Sequence, residues 1–369
     1  MKKNISDHVR MVFDKMNIQL EDYQNLAFDL GTHKEIFDAE SNRVISKAEA
    51  DEKLRSFNLN VLGLAPNPTH RQIKRAMREH HKEIYTVWED TIDFKVDTGF
   101  RESEFFNEFV EHKNLAKGDR SEFWSNNDVI LSISKISGDH HDFILQTLGE
   151  GQAYTVTTSV YGAAVGGDLD RYFRGEIDWA TLTDKIAEAF IIKIQNEMYA
   201  EVMNAGEKLP VNSQFNKTMA IEKANKDTFD TLIEDVSMAN GNAEVYILGV
   251  RTALKKLTAF ADIDWITEDQ KRQVADMGRL GSYEGTTLVE IPQRFAPNDV
   301  TKKLVDPNKL LIMAKTDDKF VKFVDVGETE IYELTGIGDR MDDTMKYEVQ
   351  REMGISTQIS RYFGVWNIA

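Results

Sequence analysis

Histidine and cysteine supply most catalytic acids, bases and nucleophiles, and both are unevenly represented in this chain. The sequence contains no cysteine, and its eight histidines all lie within the first 141 residues. The lack of cysteine excludes disulfides, thiolate zinc sites and iron–sulfur clusters, and it favours folding in a reducing, cytoplasmic environment. The rest of the chain would have to catalyse any reaction with carboxylates, lysine or tyrosine alone, which is uncommon in enzymes.

One compact group of metal-capable side chains is present, at Asp139-His140-His141-Asp142. Neighbouring residues of a strand or turn point in different directions, so four successive side chains cannot converge on one ion. We interpret the group as a solvated hairpin tip. Asp168-Leu169-Asp170 lacks the glycine of a calcium loop, and the sequence has no G-x-x-x-x-G-K-[ST] phosphate loop. The residues therefore predict no catalytic site, no metal and no cofactor.

Five cationic side chains form the most informative cluster, which we call the basic face. Their spacing of i, i+3, i+4, i+7 and i+11 places them on one stripe of a helix predicted over about 70–88, with an apolar stripe opposite. The basic face consists of Arg71, Lys74, Arg75, Arg78 and Lys82. Two interpretations stay open: an ordinary solvated helix surface, or a contact with an acidic neighbour or with nucleic acid. Clustered cations in a chain of net charge −17 give weight to the second.

The composition bounds the class of protein. A length of 369 residues suggests roughly two domains or one elaborated domain. Acidic residues outnumber basic ones 62 to 45, and 41% of the residues are hydrophobic. The bulk of the chain therefore folds around a core, and its acidity argues against coating nucleic acid with the whole surface. Its apolar runs are only a few residues long, so we expect no signal peptide and no membrane partner.

The elements that position these residues follow from the periodicity of the sequence. Ser46-Lys47-Ala48-Glu49 predicts a capping box at the start of a short helix, and Thr69 predicts the N-cap of the 70–88 helix. A Thr- and Ser-rich hairpin is predicted over 126–160, where the period changes from 3.6 to 2. Because such a hairpin is marginal alone, it needs another surface to lie on.

Longer-range elements are predicted in the same way. The longest helix is expected over 183–204 and to end at Gly206, with a buried stripe that includes Ala189 and Phe190. Further helices are predicted over 102–114, 217–238 and 252–260, and strands over 244–248, 286–291, 310–313, 320–324, 330–334 and within 345–368.

Several of these segments resemble the major capsid proteins of tailed bacteriophages, which have the Hong Kong 97-type capsid fold. EVYILGVRTAL at 244–254 resembles the strand and helix of their axial domain, and GSYEGTTLVEIP at 281–292 resembles their glycine turn and proline-terminated strand. Similarities to the closing strands of the family lie at 308–313, 320–325 and 346–368. The resemblance covers about residues 125–369, in the order found in the family.

The resemblance implies an α+β fold with an N-arm, an extended E-loop hairpin, a peripheral domain with a long spine helix, and an axial domain. The implied N-terminal parts are a helical extension over 1–60, which could be scaffolding-like, and the N-arm region over 61–125. The E-loop would span 126–162. The peripheral domain would comprise 163–213 with 317–362, and the axial domain 214–316 with 363–369. An E-loop lies across an adjacent subunit, which implies contacts by Lys135, His140, His141 and Tyr154. Some relatives cross-link a loop lysine to a neighbour's asparagine, and Lys135 lies in a suitable region.

The function that the resemblance implies is structural. The chain would be a major capsid protein, not an enzyme, that self-assembles as hexamers and pentamers into the icosahedral head of a tailed phage, in the host cytoplasm and then in the virion. Its implied partners are copies of itself, encapsidated DNA bound without sequence specificity, and scaffolding, portal and decoration proteins. Two alternatives stay open: a bacterial nanocompartment (encapsulin-like) shell protein, and a cytoplasmic enzyme that uses carboxylates and tyrosine.

Overall fold

The structure, a computed structural model, describes residues 7–16, 19–32, 36–38, 43–101, 103–125, 152–167, 169–176, 179–209, 211–260, 278–296, 299–315, 318–333, 345–357 and 362–369. The helices are α1 (Asp7–Met16), α2 (Leu20–Thr32), α3 (Lys47–Val61), α4 (His70–Arg101), α5 (Glu104–Phe109), α6 (Leu169–Phe173), α7 (Trp179–Met203), α8 (Ala205–Lys208), α9 (Lys226–Ala239) and α10 (Arg251–Lys256). Single 3₁₀ turns precede α9 and follow α10, at Lys223–Asn225 and Leu257–Ala259.

The strands are β1 (Phe37–Asp38), β2 (Arg43–Val44), β3 (Val110–Leu115), β4 (Glu122–Ser125), β5 (Gln152–Thr155), β6 (Ser159–Gly167), β7 (Asn216–Thr218), β8 (Val245–Val250), β9 (Ser282–Tyr283), β10 (Thr286–Ile291), β11 (Phe295–Ala296), β12 (Asp299–Lys303), β13 (Lys309–Ala314), β14 (Val321–Glu333), β15 (Met345–Thr357) and β16 (Phe363–Asn367). One sheet has the order β3-β14-β15-β6 and a larger one the order β7-β16-β13-β8-β10-β9. The pairs β1–β2, β4–β5 and β11–β12 are separate two-stranded ribbons. This mixture of helices and sheets confirms the predicted α+β class.

Two predicted helix starts are confirmed. The Ser46 hydroxyl accepts a hydrogen bond from the Glu49 amide while the Glu49 carboxylate accepts one from the Ser46 amide, which is the predicted capping box. α4 begins directly after Thr69, whose amide donates to the Gln72 side chain at 2.8 Å. The helix continues well beyond the predicted end at residue 88, because its apolar stripe continues, and it is kinked at His80 (φ −127°, ψ 16°).

Two other predicted helices are wrong at one end, and in both cases residues at that end form a strand instead. The helix predicted over 102–114 is α5, capped by Ser103, and it stops at Phe109 because the next six residues pair with β14 in parallel. The helix predicted over 217–238 begins only at Lys226, because the residues from Asn216 to Thr218 pair with β16. Hydrogen bonding to strands far along the chain overrides the local helical period in each case.

The closing strands combine differently from the prediction. The two strands predicted over 320–324 and 330–334 are one strand of 13 residues, β14, with a shift of register between Val326 and Glu330. Gly327 lies in this irregular stretch with φ +75°, a conformation that favours glycine. The region predicted as strand within 345–368 divides into β15 and β16, which belong to different sheets.

The six-stranded sheet contains the strands that the sequence predicts best. β8, β10 and β13 match their predicted positions closely, and β8 is buried along its whole length. β10 runs parallel to β8, whereas β13 runs antiparallel to it. The turn between β9 and β10 uses Glu284 and Gly285, both with positive φ, as expected for a tight hairpin turn.

The long helix α7 packs against α4 and against β15 of the four-stranded sheet. It starts at Trp179, earlier than predicted, and buries Phe190, while Ala189 is exposed and does not belong to its buried stripe. Gly206 does not end the helix but lies in the short α8 that follows it. A Cβ at Gly206 would stand 2.8 Å from a methyl group of Val365, so the glycine allows close packing.

The N-terminal helices share the main core with the rest of the chain. Asn58 on α3 is fully buried, accepts a hydrogen bond from the Tyr23 hydroxyl of α2 at 3.2 Å and donates one to the Tyr172 oxygen of α6 at 2.9 Å. Gly31 lets α2 approach α7, because a Cβ there would lie 2.6 Å from the Asp184 carboxylate. The helices α2 and α3 are thus packed against α6 and α7 of the same chain.

Candidate assembly surfaces

The basic face lies on the outside of α4. Arg71, Arg75, Arg78 and Lys82 are exposed and Lys74 is half-buried, so the predicted two-sided helix is confirmed. On the opposite side Ile73, Met77, Ile84, Val87 and Trp88 are buried. Arg75 pairs with Glu79 at 3.1 Å, whereas the described residues offer no ion-pair partner to Arg71, Arg78 or Lys82. Arg71, Arg78 and Lys82 therefore give the face exposed positive charge, and what the face contacts stays a prediction.

The second half of α4 is fastened to the four-stranded sheet by carboxylates. Glu89 accepts a hydrogen bond from the Ile331 amide at 2.7 Å, and Asp93 accepts one from the Thr329 amide at 3.2 Å. On the other side of the helix, Lys95 forms an ion pair with Asp184 of α7. Burial lowers the pKa of Lys95, and the Asp184 carboxylate opposes that shift. These contacts hold the helix that carries the basic face in one position.

A cleft of about 610 Å³ beside α4 contains a buried arginine among carboxylates. Arg351 is 3% exposed and contacts Asp93 at 2.8 Å, Asp97 at 3.3 Å, and Asp325. Burial raises the pKa of Asp325, and Arg351 opposes the shift. The acids are occupied by a cation of the protein itself, so the arrangement joins α4 to β14 and β15. Among the described residues no group of three or more His, Cys, Asp or Glu could hold a metal ion.

Residues 126–151 of the hairpin predicted over 126–160 lie outside the described residues. Within the described residues, β5 near the end of that range pairs antiparallel with β4, which precedes the predicted start. We call these two strands the ribbon base. The predicted return strand is wrong in one respect: it breaks after Thr155, and Ser159 begins β6 of the four-stranded sheet. The break lets Val156 turn inward, where it is buried and its amide donates to the Ser121 carbonyl at 2.9 Å.

The inner face of the ribbon base is anchored on its own subunit. Phe123 is 1% exposed and packs with Val156, Val324 and Val326 over the outer side of the four-stranded sheet. The Lys113 ammonium lies 4.2 Å from the centre of the Phe123 ring, a favourable cation–π distance. The ribbon base is therefore held in a fixed position on its own subunit.

The outer face of the ribbon base carries an aromatic residue that the sequence analysis missed. Trp124 is 61% exposed, on the opposite side of β4 from Phe123. Tyr154, a predicted contact, is 41% exposed. It is the cross-strand partner of Phe123 and therefore lies on the same face of the ribbon base as Phe123. The other predicted contacts, Lys135, His140 and His141, lie outside the described residues. Two adjacent aromatic residues in a strand must face opposite sides, which is the signal that could have identified Trp124.

Within the described residues, every helix is too short or too polar to span a lipid bilayer. No curated protein sequence matches the chain significantly. A family model described as "SPbeta prophage-derived putative capsid protein YonB" matches residues 29–367.

Several solved capsid structures are similar to the chain. The mature capsid of bacteriophage PhiM1 matches with a TM-score of 0.49 and 12% identity, over 72% of this chain and 87% of that chain. The capsid of Helicobacter pylori bacteriophage KHP30 matches with a TM-score of 0.46 and 12% identity, over 73% and 92% of the two chains. A virus-like particle from Pyrococcus furiosus has a TM-score of 0.40 and 12% identity, over 75% and 98%. The family match itself spans most of the sequence, and so the chain belongs to the YonB family of prophage-derived capsid proteins.

Proposed function

We propose that this capsid protein is the major shell subunit of a tailed phage, and that it assembles as hexamers and pentamers into an icosahedral head around double-stranded DNA. The observation that carries the proposal is the ribbon base: one face is anchored by Phe123, and the other presents Trp124 to solvent. An exposed tryptophan at a rigid position is typical of a protein–protein contact. In a shell the surface that covers it belongs to another copy of the chain.

The order of elements supports a Hong Kong 97-type arrangement. The proposed E-loop, 126–162, begins directly after β4 and includes β5, the other strand of the ribbon base. The proposed spine of the peripheral domain is α7. The six-stranded sheet is built from residues of 214–316 and 363–369, which is the proposed axial domain, and the four-stranded sheet lies mostly in the proposed peripheral domain.

We further propose that the basic face contacts either a neighbouring subunit or DNA. Exposed arginine and lysine side chains such as Arg71, Arg78 and Lys82 attract phosphate and carboxylate alike, and the overall acidity of the chain limits adsorption of DNA elsewhere. Scaffolding, portal and decoration proteins belong to the same proposal as partners of the assembled shell. An enzymatic role is not part of the proposal: the carboxylates of Asp93, Asp97 and Asp325 are paired with Arg351 and join α4 to the four-stranded sheet.

A nanocompartment shell is the second candidate, since such shells also assemble from one kind of subunit. The family match, to a prophage-derived capsid protein, favours the phage head.

Electron microscopy of the purified full chain, alone and with its cognate scaffolding protein, tests the proposal. We expect closed shells, capsomers or tubes. A protein that stays monomeric under all assembly conditions would contradict a shell function. Particles that fill with DNA in the presence of the packaging machinery would favour the phage head, and particles that enclose an enzyme instead would favour the nanocompartment.

A further inference from the structure

A second ribbon projects from the six-stranded sheet. It is formed by β11 and β12, and we call it the 294–304 ribbon. Its two legs leave the end of the sheet at which β10 finishes, at Ile291, and β13 begins, at Lys309. Among the described residues its strands pair only with each other. A two-stranded ribbon is marginal in water, so this one requires an anchor and a surface to cover it.

The anchor lies at the base of the ribbon. The Gln293 side chain donates to the Val305 carbonyl at 2.6 Å and accepts from the Val305 amide at 3.1 Å, which imitates a pair of strand hydrogen bonds. The Leu304 amide donates to the Arg294 carbonyl at 2.8 Å. The Arg294 guanidinium in turn donates to Gln195 on α7 at 3.1 Å. The ribbon is thus held in a fixed position relative to both the sheet and α7.

Beyond its base, the ribbon is exposed. Phe295 is 58% exposed and Val300 is 76% exposed. Lys302 and Lys303 are also exposed, and neither forms an ion pair within the described part of the chain. Because side chains alternate along a strand, Val300 and Lys302 lie on one face of the ribbon, and Lys303 lies on the other with its partner Phe295. Each face of the rigid ribbon therefore offers one apolar side chain and one cation.

A cleft of about 570 Å³ lies at the other end of the same sheet, between α9, the start of β8 and the β9–β10 turn. Apolar side chains of its lining are Ile233, Val245 and Tyr283, and its acidic ones are Asp230, Glu234, Glu244 and Glu284. No lysine or arginine lines it. Lys226 pairs with Glu284 at 2.5 Å, whereas Glu234 and Glu244 are exposed and form no ion pair with a described residue. The cleft matches the ribbon in both charge and apolar character.

We propose that the 294–304 ribbon of one copy docks into this cleft of the next copy, with Lys302 and Lys303 against Glu234 and Glu244. In one chain the two patches lie at opposite ends of six-residue strands, roughly 20 Å apart, so each faces a different neighbour. An interface between two different patches is head-to-tail, and head-to-tail contacts form a ring when the rotation between successive copies closes. The inference rests on the proposed self-assembly and identifies one contact that would build the capsomer ring.

Charge reversal in the full chain tests the docking. Lys302→Glu with Lys303→Glu should lower the yield of particles about tenfold, and Glu234→Lys with Glu244→Lys should do the same. Combining all four substitutions should restore the yield to within about threefold of the unmodified chain, because the charges are exchanged across the same contact. The matched control is Lys15→Glu with Lys185→Glu, two exposed lysines elsewhere, which should leave the yield unchanged.

Engineered cysteines give a direct readout, because the chain has none of its own. Lys302→Cys with Glu244→Cys places both thiols in every copy, too far apart within one copy to form a disulfide. Mild oxidation of particles should give a ladder of linked subunits that ends at five and six copies on a non-reducing gel.

The outcomes distinguish failure of the proposed docking contact from failure of the proposed shell function. Normal particle yield for the Lys302→Glu, Lys303→Glu variant, no rescue by the combined variant, or no ladder would overturn the docking while leaving the shell function intact. Failure of the unmodified chain to form particles would overturn the shell function, and the docking with it.

Discussion

The substitution Trp124→Ala should weaken assembly of the subunits without destabilising the fold of each subunit. A tryptophan presents up to roughly 250 Å², so the 61% exposed fraction of Trp124 leaves about 150 Å² to be buried by a neighbour. At about 25 cal/mol per Å² this burial is worth up to ~4 kcal/mol per contact. If half of that is realised, the concentration needed for assembly rises roughly 30-fold in the variant. The free energy of unfolding of the subunit should change by less than about 0.5 kcal/mol, because the ring lies outside the core.

The adjacent residue provides the matched control. Phe123→Ala removes a ring that is 1% exposed and should lower the free energy of unfolding by about 3–5 kcal/mol. Urea unfolding of the unassembled subunit and light scattering against protein concentration measure the two effects. If Trp124→Ala assembles at the concentration of the unmodified chain, the outer face of the ribbon base is not an assembly contact and the reasoning fails.

Three further predictions concern the core, the stability of the subunit at low pH and the basic face. Asn58→Ala should lower the free energy of unfolding by about 2–4 kcal/mol, because it removes a buried side-chain hydrogen bond to each of Tyr23 and Tyr172. An effect in urea unfolding no larger than that of Asn204→Ala, whose side chain makes no capping bond, would contradict it. The pKa of Glu108 is lowered mainly by the hydrogen bond that its carboxylate accepts from the Tyr246 hydroxyl. The ionised carboxylate therefore stabilises the folded subunit above the unfolded pKa, and this stabilisation is lost as the pH falls through the lower pKa of the folded state. Glu108→Gln should therefore reduce the loss of stability on acidification below pH 4.5, and an acid unfolding curve identical to that of the unmodified chain would refute this. Reversing Arg71, Lys74, Arg75 and Arg78 to glutamate should reduce particle yield or DNA content without unfolding the subunit, and particles normal in both would leave the basic face as solvated surface.

The sequence by itself determined the features that depend on neighbours along the chain. The capping box at Ser46, the two-sided α4 and the strands β8, β10 and β13 follow from spacing within a few residues, since side-chain direction repeats with the period of the element. The order of the motifs also led to the capsid family, which the match over residues 29–367 confirms.

Only the tertiary structure decided the features that depend on distant partners. The segment after Phe109 is a strand because β14 lies beside it, more than 200 residues later. The helix α3 is joined to α6 because Asn58 donates a hydrogen bond to Tyr172, a contact between residues 114 positions apart that local periodicity cannot show. The same holds for Trp124 and the 294–304 ribbon. Each becomes a candidate surface because residues far along the chain anchor it, while side chains on it stay exposed among the described residues.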